Sequence, residues 1–510
     1  MDPARLPLSL PRRVAPATLR DCLMKPGSRD TRPPQPPREI PAVAAPAGAA
    51  KPAPARGAVE PGWLPDCVFT GDKFETGLAF FADALGRITR FSREPADLAI
   101  ARRLAGQAVL PGLVNAHSHA FHRVLRGRGD ALARAGREAL PVWREATERI
   151  AGRLGEEDIF DAARMAFVEM LLAGITCVGE FHYLHHRPDG TPWPDPNFLS
   201  GEILRAAHEV GIRIALLKVA CARGGAVRSL TPTAEQFVKD AEALRVSVAK
   251  NHATDDAWVG LALHSLRGMP RDYLKTVAGY AHAQRLRLHA HVSEHPAENE
   301  ACLAESGRTP VSLLAEHGLL DKRFTAIHAI HLTDDDVKLL GAARATVCAC
   351  PTAERHLGLA AAPVDKLVAA GVALAFGSDS HVQIDLMEDA RLLESLARTG
   401  RPARGAFAPE AAASLFHAAT VAGARSLGAP GGALEVGRPA DFFTVNIFDP
   451  SLAGVEPAAL LGNVVFGLER RAIREVWVGA RQLVSNGRHA AQGPIIGRFV
   501  ELQQRVRAGA

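Results

Sequence analysis

Two histidines placed two residues apart, His117 and His119, end an apolar run of the sequence, VLPGLVNA. Residues i and i+2 of a β-strand face the same side, so both imidazoles can offer a neutral nitrogen to one metal ion. A lone pair at this spacing also fits two histidines that bond backbone carbonyls. A third histidine, His291, and a carboxylate, Asp379, end two later apolar runs. Three imidazoles and one carboxylate suit zinc, with Fe²⁺ or Mn²⁺ as alternatives, so we predict a divalent metal site.

Other polar residues share this position at the end of an apolar run. They are Glu180, His182, Tyr183, His264, His289, Glu294 and His328. Eight strand-length apolar runs alternate with helix-like stretches, and strands buried on both faces need not alternate polar and apolar residues. This pattern predicts an α/β fold, a (β/α)8 TIM-like barrel over residues 111–430. The active sites of such barrels lie at the C-terminal ends of the strands, where these polar residues fall.

The segments that flank the barrel contain shorter strand-like pieces, CVFTG, LAFFA, DFFTVNI and REVWVG. We expect residues 61–110 and 431–492 to form a small β-sandwich domain from both chain ends, followed by a helix or tail over 493–510. Fourteen of the 35 prolines precede Gly62. A Pro-, Ala- and Arg-rich segment buries too little apolar surface to fold, so we predict a disordered tail over residues 1–60.

Composition and charge argue against several classes of partner. The net charge is +5, but residues 1–60 hold ten Lys/Arg and five Asp/Glu, so the rest of the chain is nearly neutral and nucleic-acid binding is not expected. No run approaches the 18 apolar residues of a membrane span. The N-terminus lacks the apolar core of a secretory signal, and a transit peptide or an over-extended start are the alternatives. Seven scattered cysteines without a C-x-x-C pair favour reduced thiols and a cytoplasmic protein.

From about residue 62 to 490 the chain resembles the metal-dependent amidohydrolase superfamily and, within it, the formimidoylglutamate deiminases. The stretches that carry the resemblance are NAHSHAF (115–121), EFHYLHH (180–186), HSLRG (264–268), HVSE (291–294), CPTAERHLG (350–358) and GSDSH (377–381). The resemblance implies a single divalent metal, usually zinc, held by His117, His119, His291 and Asp379. Binuclear relatives bridge two metals through a carboxylated lysine or a glutamate. Here strand four ends in His264, and Lys218 lies in mid-strand, so we expect one metal.

The chemistry implied is hydrolysis of a carbon–nitrogen bond by water that the metal activates. We expect Asp379 to serve as the base for that water, Glu294 to relay protons to the leaving nitrogen, and His328 to orient the nucleophile and stabilise the tetrahedral intermediate. The competing interpretations are a solvated loop carboxylate for Glu294 and a core histidine for His328, with His331 as a rival. We interpret His185 and His186 as loop residues.

The substrate that the resemblance implies, N-formimino-L-glutamate, carries two carboxylates, which suit the planar donors of arginine. The matching pocket positions are Arg144, Tyr183, His264 and Arg267. Each of three positions has an alternative interpretation. Arg144 could belong to the start of an amphipathic helix, and Arg267 could be a solvated loop charge. Tyr183 could have only a structural role at the rim of the barrel. Where the family usually has glutamine, this chain has His122, which could bind a carboxylate if its imidazole were charged.

The predicted reaction is deimination of N-formimino-L-glutamate to N-formyl-L-glutamate and ammonia, a step of histidine degradation. The expected partner is a small dicarboxylate substrate, and the resemblance adds a homodimer. The alternatives are a deaminase of another amidine, a guanidine or an aromatic base, and a metal-free barrel that only binds. A cytidine-deaminase-type site would need H-x-E and P-C-x-x-C, whereas this chain has H-x-x-E and Cys348-x-Cys350.

Overall fold

The computed structural model describes residues 60–128, 139–223, 227–231, 233–266, 269–399, 406–407 and 409–508. The predicted disordered tail, residues 1–60, lies outside the described residues except for Glu60.

In chain order the strands are β1 (Gly62–Phe69), β2 (Phe74–Thr76), β3 (Ala79–Ala82), β4 (Ile88–Ser92), β5 (Arg102–Pro111), β6 (Leu113–Ser118), β7 (Ile175–His182), β8 (Arg213–Ala220), β9 (Ala257–Leu263), β10 (Leu288–Val292), β11 (Phe324–His328), β12 (Thr346–Ala349), β13 (Ala373–Phe376), β14 (Phe442–Asn446), β15 (Ile473–Val478), β16 (Arg481–Ser485) and β17 (Arg488–His489).

Strands β6 to β13 form one eight-stranded sheet in which each strand pairs in parallel with the next along the chain. Every residue of β6, β7 and β8 is buried, which explains why these segments read as continuous apolar runs. Each of the eight strands falls on one of the eight predicted apolar runs, so the TIM-like barrel is confirmed. The first run divides at Gly112, where a Cβ atom would meet Thr176 Oγ1 at 2.1 Å. The residues of this run before Gly112 belong to β5, which is part of a separate nine-stranded sheet.

The first and eighth barrel strands meet through residues of the predicted metal site. Ser118 and Asp379 form a parallel bridge. The Asp379 amide donates to the His117 carbonyl at 3.0 Å, and the His119 amide donates to the Asp379 carbonyl at 3.1 Å. Barrel closure therefore places the backbones of three predicted ligands side by side.

The second sheet has nine strands and comes from both chain ends, with β5 antiparallel to β14. In its core, the ring centroid of Trp63 lies 5.1–5.2 Å from those of Phe80, Phe442 and Trp477. The small β domain predicted from both chain ends is thus confirmed.

A buried ion pair ties this sheet to the barrel. Arg213 of β8 donates to both carboxylate oxygens of Asp441, Nε to Oδ2 at 2.6 Å and NH2 to Oδ1 at 3.0 Å. The two side chains are only 4% and 2% exposed. Asp441 also accepts the Gly479 amide at 2.7 Å. This carboxylate, which directly precedes β14, therefore connects β8 of the barrel with the turn after β15.

Helices follow most of the barrel strands and cover the outside of the barrel. The α-helices are Pro95–Ile100, Ala139–Ala151, Glu156–Leu172, Phe198–Val210, Ala234–Asn251, Arg271–Ala283, Pro296–Ser306, Pro310–Glu316, Asp334–Ala343, Pro351–His356, Val364–Ala369, Leu386–Arg398, Ala411–His417, Gly423–Leu427, Pro457–Gly467 and Gln492–Ala508. Within the described ranges, none of the helices has the length and apolarity that a membrane crossing requires.

Candidate metal centre and active site

The four predicted metal ligands, His117, His119, His291 and Asp379, converge at the C-terminal end of the barrel. One ligand atom from each lies within 4.8 Å of the others. Asp379 Oδ1 is 3.3 Å from His117 Nε2 and 3.5 Å from His119 Nε2. The Nε2 atoms of His117 and His291 are 3.3 Å apart. The site is thus built from β6, β10 and the loop after β13.

Backbone carbonyls orient two of these imidazoles from behind. His119 Nδ1 donates to the Phe181 carbonyl at 3.1 Å, and His291 Nδ1 donates to the His264 carbonyl at 2.8 Å. Such bonds fix the tautomer that leaves Nε2 available as a ligand. Burial lowers the pKa of His117, His119 and His291 well below its ordinary value, so the imidazoles are neutral, as metal binding requires. Neutral nitrogens converging on a carboxylate fit a divalent metal ion.

Five residues at this end of the barrel, among them Ser293, His328 and Asp379, adopt left-handed backbone conformations. The φ angles of Ser293, His328 and Asp379 are 51°, 67° and 45°. Such conformations cost a non-glycine residue about 1–3 kcal/mol and concentrate at functional sites. They occur where β10, β11 and β13 pass into their loops. Backbone strain therefore marks the same edge of the barrel as the ligand geometry does.

The two predicted proton-transfer residues lie next to each other beside the metal ligands. Glu294 Oε1 is 3.9 Å from His328 Nε2, and Glu294 Oε2 accepts Arg144 NH2 at 2.9 Å. The Glu294 side chain is 13% exposed, unlike a solvated loop carboxylate. Burial favours its protonated form, but the nearby charges of His328 and Arg144 outweigh burial and lower the Glu294 pKa.

His328 is a buried residue with carboxylates on two sides. Its Nδ1 donates to Glu354 Oε1 at 3.1 Å, and its ring stacks on that of His291 with centroids 5.5 Å apart. Burial opposes protonation, but the hydrogen bond to Glu354 and the neighbouring carboxylates raise the pKa of His328 to about 10. The ring can therefore donate a hydrogen bond from Nε2 toward the cavity.

A cavity of about 350 Å³ opens over the cluster. The predicted residues that line it are His119, His122, Arg144, Tyr183, His264, His291, Glu294, His328 and Asp379. Sequence reasoning did not single out Trp143, Arg223, Ser265 and Glu298, which also line it. The remaining predicted binding residue, Arg267, lies outside the described residues.

His122 is a neutral part of this cavity. Its Nε2 lies 2.8 Å from the Tyr183 hydroxyl, at hydrogen-bond distance. Burial lowers the pKa of His122 to about 3, which argues against the hypothesis of a charged imidazole that binds carboxylate. The desolvation of a ring that is only 5% exposed is the reason.

Other residues considered from the sequence lie away from the metal ligands. Lys218 Nζ donates to Asn197 Oδ1 at 2.8 Å and does not belong to the cluster of predicted ligands. His185 Nε2 and His186 Nε2 bond the backbone carbonyls of Val219 and Leu230. His331, the rival of His328, is half-buried and does not line the cavity.

With this geometry in view, the sequence was compared with known proteins. A model of the amidohydrolase family matches residues 108–488. The chain belongs to the amidohydrolase family. It is 36% identical over 410 residues to a formimidoylglutamate deiminase of Pseudomonas aeruginosa, covering 79% of this chain and 90% of that protein. It is 31% identical to a 5-methylthioadenosine/S-adenosylhomocysteine deaminase of Moorella thermoacetica, covering 75% and 83%. A solved amidohydrolase from Brucella melitensis superposes with a TM-score of 0.79 at 29% identity, covering 88% and 99%.

Two buried carboxylates to which sequence reasoning gave no role, Glu180 and Glu354, support the site of this amidohydrolase. Glu180, two residues before the end of the second barrel strand, accepts the Ala120 amide at 2.7 Å and the Ser118 hydroxyl at 2.5 Å. It thereby holds the two residues on either side of His119, Ser118 through its hydroxyl and Ala120 through its backbone amide. Burial raises the pKa of Glu180 to about 8. The second is Glu354, behind His328. Both lie in family-like stretches, and the position of Glu180 inside an apolar run was the signal that could have suggested its supporting role.

Proposed function

We propose that this amidohydrolase uses zinc to hydrolyse N-formimino-L-glutamate to N-formyl-L-glutamate and ammonia. The observation that carries the proposal is a single cavity lined by metal-ligand candidates, the Glu294–His328 pair and Arg144. A linear amidine with carboxylates needs all three elements, namely an activated water, a proton relay and a cation. The 36% identity to a formimidoylglutamate deiminase supports this choice of substrate.

His117, His119, His291 and Asp379 would hold the metal. When bound, a divalent metal lowers the pKa of coordinated water, so that a nucleophile is available near neutral pH. Asp379 accepts the proton of the attacking water. His328 donates a hydrogen bond from Nε2 to the charge that develops in the tetrahedral intermediate. Glu294 carries a proton to the formimino nitrogen, the bond from carbon to that nitrogen breaks, and ammonia leaves while the water oxygen stays on the formyl carbon.

Arg144, Tyr183 and His264 provide the polar groups for the glutamate part of the substrate. Arg144 and Arg223 both line the cavity, and Arg144 is the one that pairs with Glu294. The Arg144 side chain is 40% exposed, so its guanidinium can reach a ligand. His122 contributes as a neutral hydrogen-bonding group in place of the family's amide. Arg267 has the same proposed role as Arg144.

Deamination of an aromatic base is the second candidate. A relative of this chain is a 5-methylthioadenosine/S-adenosylhomocysteine deaminase, and Trp143, Tyr183 and His264 give the cavity ring surfaces on which a base could stack. That reaction needs the same metal set but no cation for a substrate carboxylate. The arginine therefore discriminates the two candidates.

The test is ammonia release by the metal-analysed protein from N-formimino-L-glutamate, 5-methylthioadenosine and S-adenosylhomocysteine, each with an Asp379→Asn control. We expect turnover of the formimino substrate alone and its loss in the control. Arg144→Met should impair that turnover, whereas Arg149→Met, an exposed position on the same helix, should not. Turnover of a nucleoside that is unaffected by Arg144→Met would overturn the substrate and favour the second candidate.

Zinc, cytoplasmic location and a homodimer stay predictions that need their own measurements. Metal analysis of protein purified without chelator tests the first, with one zinc per chain expected.

A further inference from the structure

Glu354 is a buried carboxylate to which neither the predicted ligand set nor the proton-transfer pair gives a role. It lies in the short helix Pro351–His356 that follows β12, and it is 1% exposed. Burying a carboxylate is costly unless hydrogen bonds compensate for the lost hydration. The positions of its partners indicate what the carboxylate does.

A single oxygen of Glu354 serves two donors. Oε1 accepts the Cys350 amide at 2.8 Å and His328 Nδ1 at 3.1 Å. The hydrogen bond from the Cys350 amide comes from the backbone four residues earlier in the chain, so it fixes the carboxylate independently of the imidazole. A carboxylate oxygen so placed only accepts, and Nδ1 must therefore carry the proton, whether or not Nε2 also carries one.

The consequence for His328 is a fixed ring. With Nδ1–H held from behind and one ring face stacked on His291 at an interplanar angle of 13°, Nε2 points into the cavity. Its neighbour there is Glu294 Oε1 at 3.9 Å. The backbone of His328 is also left-handed, with φ of 67°, so the side chain leaves the end of its strand in a strained geometry that needs support.

We propose that Glu354 is a positioning residue for the hydrolytic reaction: it keeps the proton of His328 on Nδ1 and so keeps Nε2 directed at the reacting carbon. This inference rests on the proposed function for the reaction itself, but the orientation of the ring can be measured without any substrate. A carboxylate that orients a catalytic imidazole by accepting its Nδ1–H is a general catalytic arrangement.

His328, Cys350 and Glu354 could alternatively hold a second metal, because one ligand atom of each lies within 4.8 Å of the others. The hydrogen bond from His328 Nδ1 to Glu354 accounts for their proximity without an ion. The two explanations differ in metal content, which can be measured directly.

The test compares the metal-loaded parent protein with Glu354→Leu and Glu354→Gln, after labelling the histidines with ¹⁵N. The His328 signals are identified by their absence in His328→Asn. We expect the parent and Glu354→Gln to show a protonated Nδ1, because the amide oxygen of glutamine still accepts, and Glu354→Leu to carry a proton on Nε2 alone. Asp389→Leu is the matched control, since Asp389 is a buried carboxylate that bonds Thr352 rather than His328. It should leave the His328 signals unchanged.

Kinetics provide the second readout. Positioned acid–base groups contribute about 10²–10⁴-fold, so Glu354→Leu should lower kcat at least about 100-fold with KM within about threefold, and Glu354→Gln should recover most of the loss. If Glu354→Leu does not fold, Glu354→Ser is read in the same way, because its short side chain cannot reach Nδ1.

Protonated Nδ1 in the leucine or serine variant, with kcat close to that of the parent, would overturn the proposal. So would a second bound zinc per chain that these variants lose. Absence of formimino turnover in the parent would refute the proposed function alone, because the ¹⁵N spectra still decide the role of Glu354.

Discussion

Replacing Arg144 with methionine should raise KM and shift the pH profile at the same time. Arg144 NH2 donates to Glu294 Oε2 at 2.9 Å and lines the cavity. Hydrogen bonds to charged groups contribute about 1.5–3 kcal/mol, so losing the guanidinium that receives a substrate carboxylate should raise KM about 10- to 150-fold.

The pH effect has a definite sign. The neighbouring cations lower the Glu294 pKa. Glu294 must be ionised to take up the proton that it then carries to the formimino nitrogen, so the acid limb of the pH–rate profile follows that pKa. Removing Arg144 removes one of these cations, and the limb should move to higher pH. Because the Arg144 side chain is 40% exposed, its pair with Glu294 is screened and contributes about 0.2–1 kcal/mol, a shift of less than about one pH unit.

The assay is ammonia release from N-formimino-L-glutamate as a function of substrate concentration and pH, for the parent, Arg144→Met and Arg149→Met. Arg149 belongs to the same helix but is exposed, so it controls for loss of a helix cation. A KM that stays at the parent value in Arg144→Met would refute the assignment of Arg144 to the substrate carboxylate. An acid limb that moves to lower pH would refute the reasoning about Glu294.

Four further outcomes follow from the structure. Removal of the metal by a chelator should abolish activity, and added Zn²⁺ should restore it, as followed by ammonia release. Glu180→Ala should weaken metal affinity about 10- to 100-fold in competition with a chromogenic chelator, because it releases the backbone around a ligand. Asp441→Asn should lower the free energy of unfolding by about 3–5 kcal/mol, because it leaves buried Arg213 without its main counter-charge. Asp256→Asn, which changes a partner of Arg213 that is 35% exposed, should lower it by about 1 kcal/mol or less. Unfolding by denaturant measures both values. His122→Gln should leave substrate KM independent of pH between 6 and 8, as in the parent, because His122 is already neutral there.

The barrel could be predicted from the sequence because its strands are buried on both faces and end in polar residues. His117, His119, His291 and Asp379 were found in this way, since each ends an apolar run at the same edge of the barrel. The boundary at Gly112 was not found, because the apolar run crosses from one sheet to the other without interruption. The division of the chain at residues 61–110, 111–430, 431–492 and 493–510 stays a prediction.

Charge states and side-chain directions could not be predicted in the same way. The neutrality of His122 follows from burial, which depends on packing between distant segments. The roles of Glu180 and Glu354 depend on which backbone amides their side chains reach. Lys218 lies in mid-strand, and only the structure shows that its side chain bonds Asn197 rather than a metal.

The bridge between Ser118 and Asp379 has a consequence for how the protein acquires its metal. The histidine ligands at the end of β6, the first barrel strand, are synthesised early. Asp379, the carboxylate that completes the set, follows β13, the last barrel strand, so it emerges from the ribosome after nearly the whole barrel. A nascent chain therefore offers histidines without the closing carboxylate, and tight metal loading has to wait until the barrel closes. Once bound, the ion cross-links the two strands at the seam, so loss of metal should first loosen this seam, where hydrogen exchange of the Asp379 and His119 amides would report it.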